Sequence, residues 1–243
     1  MARPSRFLPP GQPQHIIQRG NNRNRVFFGE EDYRFYLKCL AEACSRYACD
    51  VHAYVLMTNH VHLLASPRSE DGLPRAMQSV GRRYAQFINW RRERTGSLWE
   101  GRYRSCAVDT EAYFLVCSRY IELYPVRAAI VIQPDEYSWS SFHANAVGRH
   151  DALVTSHPLY VALGASVAER CCAYRMLFEQ DIESAVLDQI REATQKGWPL
   201  GDKAFRDAVG ALSGRRASPA PRGGLRTGCG RPRKSIDSDP IDF

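Results

Sequence analysis

His60 and His62 are the residues whose type and spacing could most directly do chemistry. They lie in the stretch 54–65, YVLMTNHVHLLA, which alternates as a strand, breaks at Thr58 and Asn59, and resumes as a second strand. Side chains two apart on a strand point the same way. Val61, Leu63 and Ala65 can then face a core while both imidazoles share the opposite face, close enough to hold one divalent metal ion. The pair alone is also what two structural histidines, hydrogen-bonded within a sheet, would look like. Context has to separate the two readings.

The elements around the pair set that context. HIIQR (15–19) reads as a first strand, followed by the loop GNNRNR, which can turn tightly and touch phosphate. Tyr33, Tyr36, Leu37, Leu40, Cys44 and Tyr47 keep helical spacing over 31–47, with acids at the start where the helix dipole favours them. A second helix is expected over 73–94, with Asp71 as N-cap, Pro74 in its first turn and Gly96 at its end; its polar face carries Arg82, Arg83, Gln86, Arg91 and Arg92. A fourth strand fits 105–109, and a third helix, capped by Asp109 or Thr110, fits 111–123 before Pro125. Strand, helix, strand, strand, helix, strand, helix is the order of an α+β, ferredoxin-like split βαβ fold with one extra helix. Helices would cover one face of the antiparallel sheet.

Composition narrows the function classes. The chain has 243 residues and 44% hydrophobic content, enough for a packed core. No apolar run is long enough to span a membrane, and the basic N-terminus has no apolar stretch behind it, so a cytoplasmic, soluble protein is expected. None of the eight cysteines forms a C-x-x-C pair, which fits a reducing compartment. The net charge of +7 equals the seven basic residues of 213–234, a segment without an acid. A second basic cluster, with no acid, occupies the first 25 residues, and a third lies between Arg82 and Arg104. Arginine-rich clusters suit phosphate backbones, although any one of them could equally be solvated surface.

Taken in order, the GNNRNR loop, MTNHVH (57–62), LWEGRYRS (98–105), RYIELYPVRA (119–128) and YSWSS (137–141) resemble the single-tyrosine HUH transposases, with an IS200-like transposase domain. Within them the chain is most similar to the REP-associated tyrosine transposases of bacteria, over about residues 12–148. The resemblance implies that His60 and His62 bind the metal, Mg²⁺ or Mn²⁺, and that Tyr120 is the nucleophile. It implies an endonuclease and transposase that cuts single-stranded DNA near REP-like hairpins and holds the 5′ phosphate as a phosphotyrosine, acting as a monomer or a homodimer. Neutral imidazoles holding a divalent ion suit this chemistry, because charge builds on the phosphoryl oxygens as the nucleophile attacks. A covalent phosphotyrosine keeps a phosphodiester, so a 3′ hydroxyl can reverse the step without ATP, and the chain has no Walker loop. Arg19, Asn22, Arg23, Arg82, Arg83, Arg102 and Arg104 are the expected DNA contacts, with Trp99 and Tyr103 either stacking on an unpaired strand or packing.

One position departs from the family. Four residues beyond the nucleophile it usually carries an amide that completes the metal shell, and here it carries Tyr124. A neutral phenol is a poorer ligand for hard cations. Three readings follow: weaker metal binding, water in place of the amide, or a decayed or domesticated DNA-binding protein that keeps the fold. Without the resemblance, Tyr120 reads as a core tyrosine, and His15, His52, His143, His150 and His157 as structural or unassigned histidines.

Beyond Gly148 the resemblance thins into a helical extension, 149–212. Ser166 and Glu169 form a capping-box pattern, and helices fit 181–196 and 202–212 in a helix-turn-helix outline. The tail, 213–243, is rich in proline, glycine, serine and arginine, and disorder is expected. Its Gly230-Arg231-Pro232-Arg233-Lys234 resembles half of an AT-hook, making Arg231 and Arg233 candidate DNA contacts or a general phosphate tether.

Overall fold

The computed structural model describes residues 9–214. Arg231, Arg233 and all of the expected disordered tail beyond Gly214 lie outside those residues, while Ser213, expected to open that tail, is the last residue of a helix. The elements in chain order are β1 (Gln14–Arg19), α1 (Glu30–Arg46), β2 (Cys49–Leu56), β3 (His60–Pro67), α2 (Gly72–Arg91), β4 (Arg104–Ala107), α3 (Thr110–Glu122) and the single turn α4 (Tyr124–Arg127). Then come α5 (Phe142–Asn145), α6 (Pro158–Val161), α7 (Val167–Met176), α8 (Ser184–Lys196) and α9 (Lys203–Ser213). Among the described residues, no helix is long and apolar enough to cross a membrane.

The strands form one antiparallel sheet in the order β2-β3-β1-β4, the split βαβ arrangement that the element order implied. β3 is central and pairs with β2 on one side and β1 on the other, with Ile17 opposite His62 and Arg19 opposite His60. Its two faces are both buried but differ in character. Val61, Leu63 and Ala65 pack with Tyr36, Leu40, Val80 and Tyr84 of α1 and α2. Leu64 faces the other way, against Cys117, Tyr120 and Ile121 of α3 and Ile190 and Ala193 of α8. Helices therefore cover both faces rather than the one expected, because α3 and α8, a helix of the C-terminal extension, pack on the second. Each leucine fully buried in these layers contributes about 1.5–3 kcal/mol relative to exposure.

Local signals set most element ends. The Asp32 carboxylate accepts from the backbone N–H groups of Phe28 and Gly29 and closes the first turn of α1. Asp109 caps α3 by accepting from Glu111 N at 3.2 Å. Ser166 and Glu169 form the expected capping box on α7. Asp71 occupies the expected N-cap position of α2, but its side chain makes no capping bond, because its carboxylate is taken by Ser69 at 3.1 Å and Arg75 at 3.0 Å. That helix also ends earlier than expected, at Arg91, because Glu93 turns into the left-handed region before Gly96 is reached. β4 stops at Ala107, since Val108 N turns to Pro13 O and Asp109 N to Leu200 O. α8 packs on β4 and β1, so it extends the sheet's second layer, whereas α9 buries only Val209.

Candidate functional site

Two neighbouring strands and one helix bring the expected residues together. His60 and His62 project from β3, His15 from β1, and Tyr120 from the last turn of α3, all on the face covered by α3 and α8. The ring centroids of His60 and His62 lie 5.1 Å apart, and that of Tyr120 lies 6.0 Å from His62 and 5.6 Å from His15. Tyr124, one helical turn on, leans over both imidazoles, at 4.5 Å from His62 and 5.0 Å from His60. Each of these side chains is buried except Tyr124, which is half-buried.

The two imidazoles are held by their Nδ1 atoms and left open at Nε2. His60 Nδ1 lies 2.5 Å from Asn59 Oδ1, and Asn59 Nδ2 donates to the carbonyl of Arg23 at 3.1 Å. The second bond fixes which end of the amide faces His60: its oxygen does, so His60 carries its proton on Nδ1 and keeps a lone pair on Nε2. His62 Nδ1 lies 3.0 Å from His15 Nε2, and His15 Nδ1 lies 2.7 Å from Thr194 Oγ1. The Nε2 atoms of both His60 and His62 are buried with no hydrogen-bond partner. Buried polar atoms are rarely left so, and two imidazole nitrogens in this state are donors that a divalent cation could take up. No cluster of three or more His, Cys, Asp or Glu stands ready for a metal among the described residues, so the protein itself would offer two nitrogens and leave the other positions to water or phosphate oxygens.

Burial sets the protonation states. It lowers His60 to about 3, assisted by the positive charge of Arg19, and His15 to about 3, assisted by Arg127. His62 is likewise driven well below the ordinary imidazole value by burial, and its basic neighbours add to the effect. All three rings are neutral at physiological pH, the form that binds metal. Burial raises the Tyr120 phenol to about 12, opposed in part by Arg127.

Arg127 is the cation closest to that phenol. Its guanidinium sits 4.3 Å from the Tyr120 ring centroid and 5.3 Å from that of Tyr124, and its Nη2 donates to the Tyr120 carbonyl at 2.6 Å, capping the end of α3. Its Nη1 is buried without a partner. A guanidinium with a spare donor, over a buried phenol, can stabilise negative charge on either the phenol oxygen or a bound anion.

The expected nucleic-acid residues divide into two groups. Arg19 ends β1 beside His60, and the loop after it folds back onto the β2–β3 turn through Gly20 N to Asn59 O at 2.8 Å and Val26 N to Thr58 O at 2.8 Å. This approach needs a glycine, since a Cβ on Gly20 would lie 2.2 Å from Asn24 O. Asn22 and Arg23 are exposed there with φ of 52° and 58°, a conformation that costs about 1–2 kcal/mol per non-glycine residue. Arg102 is exposed before β4, and Arg104, which opens β4, donates to Gln195 O at 3.3 Å. These five residues lie at the end of the sheet where His60 sits. Arg82 and Arg83 instead lie on α2, behind the opposite face, and Arg83 is paired with Glu42 at 2.7 Å. Arg91 pairs with Glu31 on α1, so much of the basic face of α2 is balanced by acids of α1. Trp99 and Tyr103 are core residues; Trp99 Nε1 donates to Gly81 O at 3.0 Å. His52 is satisfied on both nitrogens by Thr155 and Ser66.

Four participants went unassigned in the sequence: Arg127, Asn59, His15 and Thr194. Arg127 had a usable signal, because Tyr120, Tyr124 and Arg127 follow the i, i+4, i+7 spacing of one helix face. Thr194 had none.

Fold and site together define an antiparallel α+β domain that carries two imidazole nitrogens and a tyrosine on one buried face. Residues 12–123 match the family described as "Transposase IS200 like". The fold is similar to that of a solved structure described as a REP-associated tyrosine transposase bound to a REP hairpin, with a TM-score of 0.54 and 16% identity over 65% of this chain and 93% of that one. A second, looser likeness is to a structure described as a putative transposase from Deinococcus radiodurans R1, with a TM-score of 0.36 and 20% identity over 50% of this chain and 96% of that one. No curated protein sequence matches the chain.

Proposed function

We propose that this protein cleaves and rejoins single-stranded DNA beside a folded, REP-like hairpin, with Tyr120 as nucleophile and His60 and His62 holding Mg²⁺ or Mn²⁺. The observation that carries this reading is the placement of a buried tyrosine beside two neutral imidazoles whose Nε2 atoms have no protein partner. In the step, the Tyr120 oxygen forms a bond to phosphorus and gives up its proton. The bond from phosphorus to the 3′ oxygen breaks, and that oxygen leaves as a hydroxyl once protonated. A bound divalent ion would neutralise charge gathering on the phosphoryl oxygens.

The phenol raised to about 12 makes the cationic surroundings matter. At neutral pH such a phenol is ionised only on the order of one part in 10⁵, so the attacking form depends on neighbours that favour the anion. Arg127 is placed to do so through its charge, and its free Nη1 can donate to a phosphoryl oxygen. Arg19, Asn22, Arg23, Arg102 and Arg104 line the end of the sheet where an unpaired strand would enter. The chain would work in the cytoplasm, and its basic C-terminal segment adds non-specific affinity for phosphate.

The test incubates the full chain and Mn²⁺ with end-labelled hairpin DNA carrying a single-stranded flank. A protease-sensitive labelled adduct, mapped by peptide mass spectrometry to Tyr120 and abolished by EDTA, is the expected result. Arg127→Ala should slow adduct formation about 10²-fold, the scale of removing one preorganised donor at a transition state. It should also destabilise the fold by about 1 kcal/mol through the lost cap. Hairpin affinity should stay within about threefold of wild type, since Arg127 is set to act on the reacting group. Rates from a time course and affinities from mobility shifts separate the two effects.

The packing of Tyr124 on both imidazoles favours one competing reading, a DNA-binding protein that no longer cleaves. Hairpin binding without an adduct across several metals and DNA flanks would establish that reading instead.

A further inference from the structure

We infer that Thr194 of α8 and His15 of β1 are positioning residues that lock His62 in the tautomer carrying its proton on Nδ1, so that its Nε2 presents a lone pair beside that of His60. The consequence for metal binding rests on the function proposed above; the tautomer itself does not.

The direction of the chain of hydrogen bonds follows from counting protons. Thr194 has one hydroxyl proton, which it donates to the carbonyl of Ile190 in its own helix at 2.9 Å. The other close partner, Cys106 Sγ at 3.3 Å, is a weaker acceptor than a carbonyl and does not compete for that proton. Thr194 Oγ1 can then only accept from His15 Nδ1, 2.7 Å away, so Nδ1 of His15 carries a hydrogen. A neutral imidazole has one N–H, which leaves His15 Nε2 as an acceptor. The atom facing it at 3.0 Å, His62 Nδ1, must be the donor. His62 therefore has no hydrogen on Nε2, the atom left buried and unpartnered.

The geometry supports a fixed relay. His15 and Thr194 are 0% exposed and His62 is 2% exposed, so water has no ready access to replace any of these bonds. The two rings stack at 5.2 Å with an interplanar angle of 15°. Protonating either ring would place an uncompensated charge in this interior, with Arg127 nearby. The same outcome is reached independently at His60, where the Asn59 amide sets the proton on Nδ1. Two histidines of one pair thus present bare Nε2 atoms for separate reasons, one anchored in the loop after β1 and the other in α8. α8 lies outside the family-matched segment 12–123, so a helix of the C-terminal extension completes the site rather than merely following it.

Thr194→Val keeps the shape and removes the acceptor. His15 Nδ1–H would then be a buried donor without a partner, and the relay relieves this by reversing: His15 donates from Nε2, His62 accepts at Nδ1, and its proton moves to Nε2. Metal would meet an N–H. Partners that orient a metal-binding histidine typically set about 10- to 100-fold in affinity.

The experiment uses full-length, metal-free protein labelled with ¹⁵N-histidine, and reads tautomers from long-range ¹H–¹⁵N correlations at pH 7.5. The expected result is a protonated Nδ1 and bare Nε2 on His62 in the wild type and in Thr194→Ser, and the reverse in Thr194→Val. Mn²⁺ titration followed by electron paramagnetic resonance should show about 10- to 100-fold weaker binding in Thr194→Val alone. A wild-type His62 protonated on Nε2 overturns the inference without recourse to any variant, as does a folded Thr194→Val with an unchanged tautomer. The predicted tautomers in a protein that takes up no Mn²⁺ and forms no adduct would leave the relay standing and remove the proposed function. An adduct formed by a protein with the opposite tautomer would do the converse.

Discussion

Tyr120→Phe will abolish the covalent DNA adduct and leave both hairpin binding and the melting temperature essentially unchanged. The substitution removes one oxygen and nothing else from the site. Phenylalanine keeps the ring that packs edge-on to His15 and His62, and the Arg127 guanidinium still has a face 4.3 Å away to lie against. The bond from Arg127 Nη2 to residue 120 goes to the backbone carbonyl, which the change does not touch. Loss of stability should stay below about 1 kcal/mol, as for substitutions that create no cavity and strand no buried partner. Adduct formation should fall on the order of 10⁴-fold or more, as when the group that forms the covalent bond is deleted. A denaturing gel reads the adduct, a mobility shift reads binding, and thermal melting followed by circular dichroism reads the fold. Tyr124→Phe is the informative companion, because Tyr124 lies one turn on and faces the same imidazoles. An adduct that survived in Tyr120→Phe and vanished in Tyr124→Phe would move the nucleophile to Tyr124.

That ambiguity shows where the sequence is informative and where it is not. The alternation of HVHLLA assigns His60 and His62 to one face of β3 and Val61 and Leu63 to the other, because a strand's period is fixed by its backbone. The sheet order follows from the connections between strands, which admit few alternatives. Tyr120 carries no such local signal, since α3 is apolar almost all round and a core tyrosine would look the same; only the resemblance singled it out. His15 and Thr194 lie 179 residues apart and meet because β1 pairs with β3 while α8 packs across β1 and β4. No window of sequence contains that information. Trp99 and Tyr103 illustrate the reverse problem. An aromatic pair among arginines has the composition of a base-stacking surface, but the packing of α1 and α2 draws both rings into the core. The basic face of α2 was legible as charge, whereas its acidic partners at Glu31 and Glu42 belong to a different helix.

The residue that holds the tyrosine's helix in place is Glu122, and its removal should be the most damaging single change to the fold. Glu122 ends α3 two residues after Tyr120, is 0% exposed, and accepts from Ser141 Oγ at 2.5 Å, Asn145 Nδ2 at 2.8 Å and the Tyr174 hydroxyl at 2.8 Å. These donors come from the YSWSS segment, α5 and α7, so one carboxyl ties three later segments to the end of α3. Glu122→Ala takes the carboxyl from all three donors. Ser141 Oγ keeps the Tyr54 carbonyl at 3.3 Å and Asn145 Nδ2 the His52 carbonyl at 3.0 Å, but the Tyr174 hydroxyl loses its acceptor. The expected loss is about 3 kcal/mol, the lower end of the range for stripping one partner from a buried polar cluster. Urea unfolding measures it. Glu122→Gln tests the charge separately. Burial raises the Glu122 carboxyl from 4.5 to about 7, with its three hydrogen bonds pulling the other way. Because the folded-state value is the higher one, this group's contribution to stability is fully present below about 4.5 and is lost as pH rises through about 7. The buried histidines have lowered values, so their contribution runs oppositely: it is present above about 6.5 and lost as pH falls towards about 3. Subtracting wild type from Glu122→Gln cancels the histidines, which are common to both. The difference should move in favour of the glutamine protein by about 3 kcal/mol between pH 4.5 and pH 8. A difference that stays flat across that interval would mean that Glu122 is ionised at an ordinary carboxylate pKa inside the fold, and that its three partners are enough to hold a buried charge. In that case the end of α3, and with it Tyr120, is anchored by an anion at every physiological pH rather than by a carboxyl that changes state near neutrality.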